Sequence, residues 1–156
     1  GKIIASDIYR RKLDLVDKEA KRLGITNVET RSWDASREDS SMFQKADRVL
    51  VDVPCSGLGV VRRKPEIKYK EHTDDMILLP NKQLAILSAS SSYVKPGGTI
   101  VYSTCTINPE ENEKVTDAFV RRNPSFKKTE RTLLLPNVNG TDVFYICVMK
   151  KDDSLL

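Results

Sequence analysis

Short apolar runs alternate with longer helical patterns along most of the chain, and this alternation limits the fold more than any other feature. In chain order, the pattern predicts strands at 2–6, 27–33, 48–53 and 99–103, helices at 8–23, from about 75 or 81 to 93 and at 109–122, and two final strands at 126–132 and 142–150. Strands joined by helical crossovers lie parallel, because each crossover returns the chain to the same end of the sheet. The sequence therefore predicts an α/β domain with a largely parallel sheet and an antiparallel strand late in the chain.

Glycine and proline predict where several of these elements begin and end. Gly24 should stop the first helix, and the run Lys95–Gly98 should end the helix that precedes it. Pro109 should lie in the first turn of the last helix, whose acidic start at 110–113 suits the positive end of the helix dipole. Two segments lack clear periodicity: 36–44 is predicted to be a short helix or an irregular connection, and 60–75 a basic loop.

Length and composition bound the organisation of the protein. With 156 residues, 39% of them hydrophobic, the chain predicts one domain over 1–150 and a tail at 151–156. No apolar run approaches the roughly 20 residues that a transmembrane helix needs. We therefore expect a soluble, cytoplasmic protein without membrane contact. The net charge of +4 permits an anionic partner without requiring one.

Three cysteines, none in a Cys-X-X-Cys pair, argue against a disulfide framework and a zinc site. We expect free thiols and no metal. Cys55 follows the strand at 48–53 and Cys105 follows the strand at 99–103. Ligands collect at the carboxyl ends of parallel strands, so these two cysteines are a candidate pair in one site. Cys147 lies inside an apolar run and is predicted to be a buried, small hydrophobic side chain.

Acidic residues follow the first two predicted strands, Asp7 after the first and Asp34 after the second. An acidic residue at this position often binds the sugar hydroxyls of a nucleotide-like ligand. It can equally cap the following helix, and position alone does not separate the two interpretations.

Several motifs together resemble the RNA cytosine-5 methyltransferases of the Nop2/Sun family, in particular their bacterial small-subunit ribosomal RNA branch. They are Asp52-Val-Pro-Cys-Ser-Gly-Leu-Gly59, the basic segment Arg62–Lys68, Gly97-Gly98 and Tyr102-Ser-Thr-Cys-Thr-Ile-Asn-Pro-Glu-Glu-Asn112. The similarity covers almost the whole chain, including Leu134–Pro136. It implies a Rossmann-like class I methyltransferase sheet, S-adenosylmethionine as methyl donor, and methylation of carbon 5 of a cytosine in RNA, with small-subunit ribosomal RNA as the expected substrate.

The chemistry of cytosine explains why such an enzyme uses cysteine. Carbon 5 is a poor nucleophile until a thiolate adds to carbon 6, and a cysteine thiolate is strongly nucleophilic. The resemblance implies that Cys105 is this nucleophile and that Cys55 assists release of the methylated product. It also implies that Asp52, which we expect at a buried strand end, hydrogen-bonds the cytosine edge near nitrogen 3.

The resemblance assigns further residues to the methyl donor and to RNA. Asp7 would bind the ribose hydroxyls of S-adenosylmethionine, Asp34 its adenine amino group, and Asp52 would lie near its methionine end. RNA phosphates would be bound by the basic residues Arg62, Arg63, Lys64 and Lys68. For any one of these, a merely solvated basic loop is an equally good interpretation. His72 receives no role, and Trp33 is expected to pack in the core or beside a ligand.

The departures from the family pattern matter as much as the matches. The glycine-rich cofactor loop and its strand, which belong between the strands at 2–6 and 48–53, are absent, so we expect part of a larger domain with two unpaired strand edges and exposed apolar surface. Lys12 stands where the family usually has arginine, and Val143 where it usually has glycine. A catalytically inert RNA-binding or assembly module is the alternative function. A DNA cytosine methyltransferase is disfavoured, because the motif around Cys105 has no counterpart there.

Overall fold

The computed structural model describes residues 1–69 and 74–153. The chain forms two compact units, Gly1–Arg37 and Glu38–Leu156, and each is described by itself. The domain limits expected from the sequence, 1–150 with a tail, stay a prediction.

The first unit is a strand, a helix and a second strand. β1 (Ile3–Asp7) is followed by α1 (Arg10–Arg22) and β2 (Val28–Ser32), and the two strands pair in parallel, from Ile3 opposite Val28 to Asp7 opposite Ser32. Gly24 adopts a φ of +67°, and its N–H donates to the carbonyl of Lys21, which closes the last turn of α1. The predicted order of strand, helix and strand, and the glycine stop, are confirmed.

The second unit contains a mixed four-stranded sheet. Its elements are a 3-10 turn (Ser40–Met42), β3 (Ala46–Asp52), a second 3-10 helix (Pro65–Tyr69), α2 (Asp74–Ser91), β4 (Val94–Thr104), α3 (Glu113–Arg122), β5 (Phe126–Leu134), α4 (Pro136–Asn139) and β6 (Phe144–Lys151). The strand order is β3-β4-β6-β5. β3 and β4 are parallel, whereas β6 is antiparallel to both of its neighbours. The predicted α/β class with a late antiparallel strand is confirmed.

The core of the second unit lies between this sheet and the helices that cover it. Leu87 of α2, Phe119 of α3 and Ile100 of β4 are fully buried. Tyr102 and Tyr145, on the paired strands β4 and β6, are also fully buried and meet edge to face, with ring centroids 6.3 Å apart. Aromatic pairs prefer such a geometry, so the centre of the sheet is fixed by packing as well as by backbone hydrogen bonds.

One predicted boundary is wrong, because the run Lys95–Gly98 belongs to β4 instead of ending α2. The pairing of β3 with β4 shifts register between Ala46 and Arg48, so the Pro-Gly-Gly sequence lies in a strand irregularity that tolerates it. A Cβ atom on Gly98 would lie only 2.8 Å from a methyl group of Val94 and 3.0 Å from the carbonyl oxygen of Asp47. Glycine is therefore required there for close strand approach, which the sequence pattern alone does not distinguish from a helix stop.

A second boundary also differs from the prediction. α3 begins at Glu113 and not at Pro109, because the residues between them form a turn whose side chains Glu111 and Asn112 point into the protein and are buried. Elsewhere, the segment predicted as a basic loop includes the 3-10 helix Pro65–Tyr69, and residues 70–73 lie outside the described part of the chain.

The expected open strand edges are present. Within the described residues, β1 pairs with β2 alone and β3 with β4 alone. Leu50 on β3 is 71% exposed and Ile3 on β1 is 53% exposed. The prediction of unpaired edges with exposed apolar side chains is therefore confirmed.

Membrane spans and metal clusters are both absent from the described part of the chain. No helix in residues 1–69 and 74–153 is long and apolar enough to span a membrane. Over the same residues, no group of three or more His, Cys, Asp or Glu side chains could hold a metal ion.

Ile100→Ala should lower the free energy of unfolding by about 2–5 kcal/mol, because it empties a fully buried position in β4. Leu50→Ala, on the neighbouring strand but exposed, should change it by less than about 1 kcal/mol. Urea unfolding of this chain followed by circular dichroism measures both. Equal losses for the two variants would show that the exposed face of β3 is covered in solution.

Candidate active site at the ends of two parallel strands

The parallel pairing of β3 and β4 brings their carboxyl ends level. Asp52 lies opposite Ser103, and the N–H of Val53 donates to the carbonyl of Ser103 at 3.2 Å. The loops that follow carry the two cysteines, whose sulfur atoms are 3.2 Å apart. The structure thus brings Cys55 and Cys105 together, in hydrogen-bonding contact.

The two thiols differ in how readily they ionise. The hydrogen bond from Cys55 lowers the pKa of Cys105 to about 7, against partial burial and the negative charge of Asp52, and the positive charge of Lys64 assists. The pKa of Cys55 is raised by its hydrogen bond to Cys105 and by burial. Near neutral pH, Cys105 is therefore the thiolate that accepts, and Cys55 is the thiol that donates. This is the electronic arrangement of a nucleophile beside a proton donor.

Asp52 lies beside the cysteines but is exposed, so the expectation of a buried strand end is wrong. Its side chain shares the exposed face of the edge strand β3 with Leu50, and it accepts a hydrogen bond from the Ser103 hydroxyl at 3.2 Å. The exposed carboxylate can meet a ligand without moving.

Two glycines shape the loop after Cys55. Gly57 has a φ of +74°, which side chains other than glycine rarely adopt. The N–H of Gly59 donates to the carbonyl of Cys105, and its carbonyl accepts from Val143. A Cβ atom on Gly59 would lie 2.6 Å from that of Val143 and 2.7 Å from the Cys105 oxygen. Gly59 therefore ties the two cysteine loops to the start of β6, and Val143 is part of this tight contact.

The sequence analysis missed a buried carboxylate behind the cysteines. Glu111 is only 1% exposed and accepts hydrogen bonds from the backbone and hydroxyl of Ser56 and from the side chains of Gln83 and Asn108. The sequence placed Glu111 in the acidic start of α3, where it would face solvent. The available signal was that Glu111 belongs to the motif Tyr102–Asn112, which carried the resemblance but gave this glutamate no role.

The basic residues predicted to bind RNA fall into two groups. Arg62 and Arg63 both form ion pairs with the nearly buried carboxylate of Asp142, although their own side chains remain largely exposed. Lys64 and Lys68 are exposed and form no ion pair among the described residues. Phosphate binding by all four stays a prediction.

Asp7 and Asp34 belong to the first unit, and both already accept local hydrogen bonds. Asp7 accepts from the N–H of Tyr9 at 2.8 Å and from the ammonium group of Lys12 at 3.0 Å. Partial burial raises its pKa, but the hydrogen bonds from Tyr9 and Lys12 outweigh burial, so the pKa is lowered overall. Asp34 accepts from the backbone and hydroxyl of Ser36. The N-cap of α1 is Tyr9, so Asp7 is not itself the capping residue.

Three residues of lesser interest can be placed as well. Cys147 is fully buried in β6 and burial raises its pKa, which confirms the prediction of a small core side chain. Trp33 is half-buried, donates to the carbonyl of Arg37 and has the Arg31 guanidinium 4.5 Å from its ring centroid, so it packs within the first unit. His72 lies outside the described residues.

The pH dependence of Cys105 alkylation tests the thiol pair. In the wild type, iodoacetamide labelling of Cys105 should rise with pH through a midpoint near 7. Cys55→Ala removes the donor and should move the midpoint toward the ordinary value of about 8.5, which slows labelling at pH 7 roughly 15-fold. Cys55→Ser keeps a hydrogen-bond donor, so its alkylation midpoint should fall between those of the wild type and Cys55→Ala. Mass spectrometry assigns the label, with buried Cys147 as an internal unreactive thiol; an unmoved midpoint in Cys55→Ala contradicts the assignment.

Sequence comparison matches this chain to a family of known methyltransferases. The 16S rRNA methyltransferase RsmB/F family matches residues 1–150. The "Probable ribosomal RNA small subunit methyltransferase B" of Bacillus subtilis is 38% identical over 169 residues, covering 97% of this chain and 38% of the relative. The ribosomal RNA small subunit methyltransferase B of Vibrio vulnificus is 34% identical, covering 96% and 36%. The chain thus spans little more than a third of the length of these relatives.

Solved structures give the same result. NSun6 from Pyrococcus horikoshii, determined with SFG, superposes with a TM-score of 0.82 at 28% identity, over 97% of this chain and 41% of that one. The Rossmann-like methyltransferase fold and the resemblance stated from the motifs are confirmed. The sequence match and the structural likeness together show that the chain belongs to the 16S rRNA methyltransferase RsmB/F family.

Proposed function

We propose that this chain carries the nucleophile of an enzyme that transfers a methyl group from S-adenosylmethionine to carbon 5 of a cytosine in small-subunit ribosomal RNA. The observation that carries the proposal is the contact of Cys105 with Cys55 at the ends of two parallel strands. The names of the relatives support ribosomal RNA as substrate, and SFG, the analogue of S-adenosylmethionine with which NSun6 was determined, supports the methyl donor.

In the first step the Cys105 thiolate adds to carbon 6 of the cytosine. A sulfur–carbon bond forms, and the electrons of the ring double bond move so that carbon 5 becomes nucleophilic. A thiol with a pKa of about 7 is half ionised at neutral pH, so the reactive species is abundant without a separate base. Asp52, exposed beside the thiolate, can hydrogen-bond the cytosine edge near nitrogen 3 and share a proton with it while charge develops there.

The second step returns the enzyme to its starting state. After carbon 5 has accepted the methyl group, its hydrogen leaves as a proton, the ring double bond re-forms, and the bond between carbon 6 and the Cys105 sulfur breaks. While the adduct exists, the Cys105 sulfur is a neutral thioether, so the hydrogen bond to a thiolate and its negative charge no longer raise the pKa of Cys55, and only burial still does. Once the Cys55 thiol has released its own proton to solvent, its thiolate can accept the carbon 5 proton as a base for elimination, which regenerates the Cys55 thiol beside the departing Cys105 thiolate.

Residues of the first unit fit the expected methyl donor, whose sulfonium group supplies an electrophilic methyl group when bound. Asp7 has a lowered pKa and is therefore ionised, and its side chain retains 27% exposure, so its oxygens can accept hydrogen bonds from ribose hydroxyls. Asp34, with 46% of its side chain exposed, can accept from an adenine amino group. For the methionine end of the donor, the resemblance to the family suggests Asp52.

The basic segment supplies candidate phosphate contacts. Lys64 acts electrostatically on Cys105, which places its charge close to the reacting sulfur. Lys68 lies in the following 3-10 helix. Arg62 and Arg63 are oriented by Asp142 and still expose most of their surface, so they can contact phosphate without losing this ion pair.

Covalent trapping tests the nucleophile. RNA that contains 5-azacytidine should form a stable adduct with the wild-type chain when S-adenosylmethionine is added, and Cys105→Ala should form none, because the sulfur proposed to attack carbon 6 is removed. Denaturing gel electrophoresis measures the adduct. Cys147→Ala is the matched control, since it removes a thiol that is buried and away from the site, and a chain extended at its amino end is assayed in parallel.

The outcomes of trapping separate the hypotheses. An adduct that is lost with Cys105 supports the proposed reaction. If the extended chain alone traps RNA, the nucleophile stands and residues outside this chain are needed for turnover. Trapping that is unchanged by Cys105→Ala in both chains overturns the mechanism and favours the RNA-binding or assembly module.

Charge removal tests the RNA contacts. Replacing Lys64 and Lys68 together by alanine should weaken RNA binding and reduce the slope of log affinity against log salt by roughly 0.7 for each phosphate that these lysines neutralise. Lys45→Ala is the control, because this exposed lysine lies at the opposite end of β3. Filter binding between about 50 and 200 mM salt measures the slopes. A double variant with the wild-type slope would remove these lysines from the interface.

A further inference from the structure

The carboxylate of Glu111 is buried and satisfied entirely by neutral donors. One oxygen, Oε2, accepts from the backbone N–H of Ser56 at 2.8 Å and from Gln83 Nε2 at 3.0 Å. The other, Oε1, accepts from the Ser56 hydroxyl at 2.6 Å and from Asn108 Nδ2 at 3.1 Å. Among the described residues Glu111 forms no ion pair. A buried carboxylate is costly unless every oxygen is bonded, so these four donors are held in place by the need to satisfy it.

The donors come from both cysteine loops and from α2. Ser56 follows Cys55 directly, and the Gln83 amide that binds Glu111 also donates to the carbonyl of Pro54, so the residues on both sides of Cys55 are fixed. Asn108 lies three residues after Cys105. The two loops also touch directly, where the hydroxyls of Ser56 and Thr106 lie 2.8 Å apart.

Glu111 is itself anchored to the sheet and to the turn before α3. Its backbone carbonyl accepts a hydrogen bond of 2.6 Å from the hydroxyl of Tyr102, a fully buried residue of β4. The adjacent Asn112, also buried, binds the hydroxyl of Thr104 and the carbonyl of Thr106 on either side of Cys105. Glu111 and Asn112 therefore link both loops to the buried residues of β4.

We propose that Glu111 is a positioning residue, whose carboxylate holds the Cys55 loop against the Cys105 loop and thereby sets the contact between the two sulfur atoms. The inference rests on the proposed function for its consequence, which is a nucleophile that is ready at neutral pH. The distance between the two thiols does not depend on RNA, so the positioning role of Glu111 can be tested without it. Glu111 does not touch the reacting atoms and acts through the two loops.

A glutamine at this position would occupy the same volume but could not make the same contacts. Its amide has one oxygen and one NH2 group, so the NH2 group would face hydrogen-bond donors at the position of either Oε1 or Oε2. The Ser56 backbone N–H can only donate, so the glutamine oxygen would take the Oε2 position and its NH2 group would face the Ser56 hydroxyl and Asn108, both of which would have to reverse their hydrogen bonds. The hydrogen bonds to an ionised carboxylate would also become weaker bonds to a neutral amide. Glu111→Gln should therefore keep the fold and loosen the join between the loops, whereas alanine would leave several buried donors unpaired.

The test measures the pH profile of Cys105 alkylation together with RNA trapping. In Glu111→Gln the alkylation midpoint should rise from about 7 toward the ordinary cysteine value, and labelling at pH 7 should slow roughly three- to tenfold and recover above pH 9. Trapping of 5-azacytidine RNA should fall at pH 7 by a similar factor. Glu110→Gln is the control, because its exposed side chain pairs with Lys114 and should change neither measurement.

Each outcome decides the proposal. A Glu111→Gln chain that melts at a lower temperature but keeps its alkylation midpoint shows a merely structural role and overturns it. A shifted midpoint in a chain whose wild type traps no RNA supports the positioning role while the proposed function fails. If Glu111→Gln does not fold, Asn108→Ala removes one donor from a half-buried side chain and should shift the midpoint in the same direction by a smaller amount. An unshifted midpoint in that variant overturns the proposal.

Discussion

The parallel pairing of β3 with β4 is the constraint on which the site depends. A slip of one residue would turn every side chain of a strand to the opposite face, so the position of Asp52 and the start of both loops follow from one register. The irregularity between Ala46 and Arg48, made possible by Gly98, absorbs the mismatch at the far end of the strands. From Arg48 onward the pairing is regular, and the strands end level where the cysteines begin.

Behind the cysteines lies a buried polar network, and in front of them lies solvent. Glu111, Gln83 and Asn112 are almost completely buried, and no buried side-chain nitrogen or oxygen in the described residues lacks a partner. Such a network stabilises one arrangement strongly, because any other leaves polar groups unsatisfied in a medium of low dielectric constant. The exposed Asp52 and the half-buried sulfur atoms can then meet a large substrate while their supports stay fixed.

The sequence predicted the features that depend on local pattern. It located the strands, their order, the late antiparallel strand, and the meeting of Cys55 with Cys105, because apolar periodicity and strand ends are properties of short segments. It did not predict the features that depend on contacts between residues far apart in the sequence. Gly98 serves strand approach because Asp47 lies opposite it, and Glu111 turns inward because Ser56 and Gln83 offer donors. Asp52 is exposed because β3 is an edge strand, which follows from the open edge that the sequence did predict but which the expectation of a buried strand end did not take into account.

The proposed reaction requires an ionised Cys105 and a bound methyl donor, and the residues for these two requirements are distributed differently between the two units of the chain. Every interaction that makes Cys105 a thiolate, from the Cys55 hydrogen bond to the Glu111 network, lies within Glu38–Leu156. Of the three carboxylates proposed for the methyl donor, Asp7 and Asp34 lie within Gly1–Arg37 and Asp52 lies within Glu38–Leu156. Alkylation of Cys105 reports the ionisation of this thiol without any bound methyl donor or RNA. The chemistry of the thiol pair can therefore be measured separately from the binding of donor and RNA.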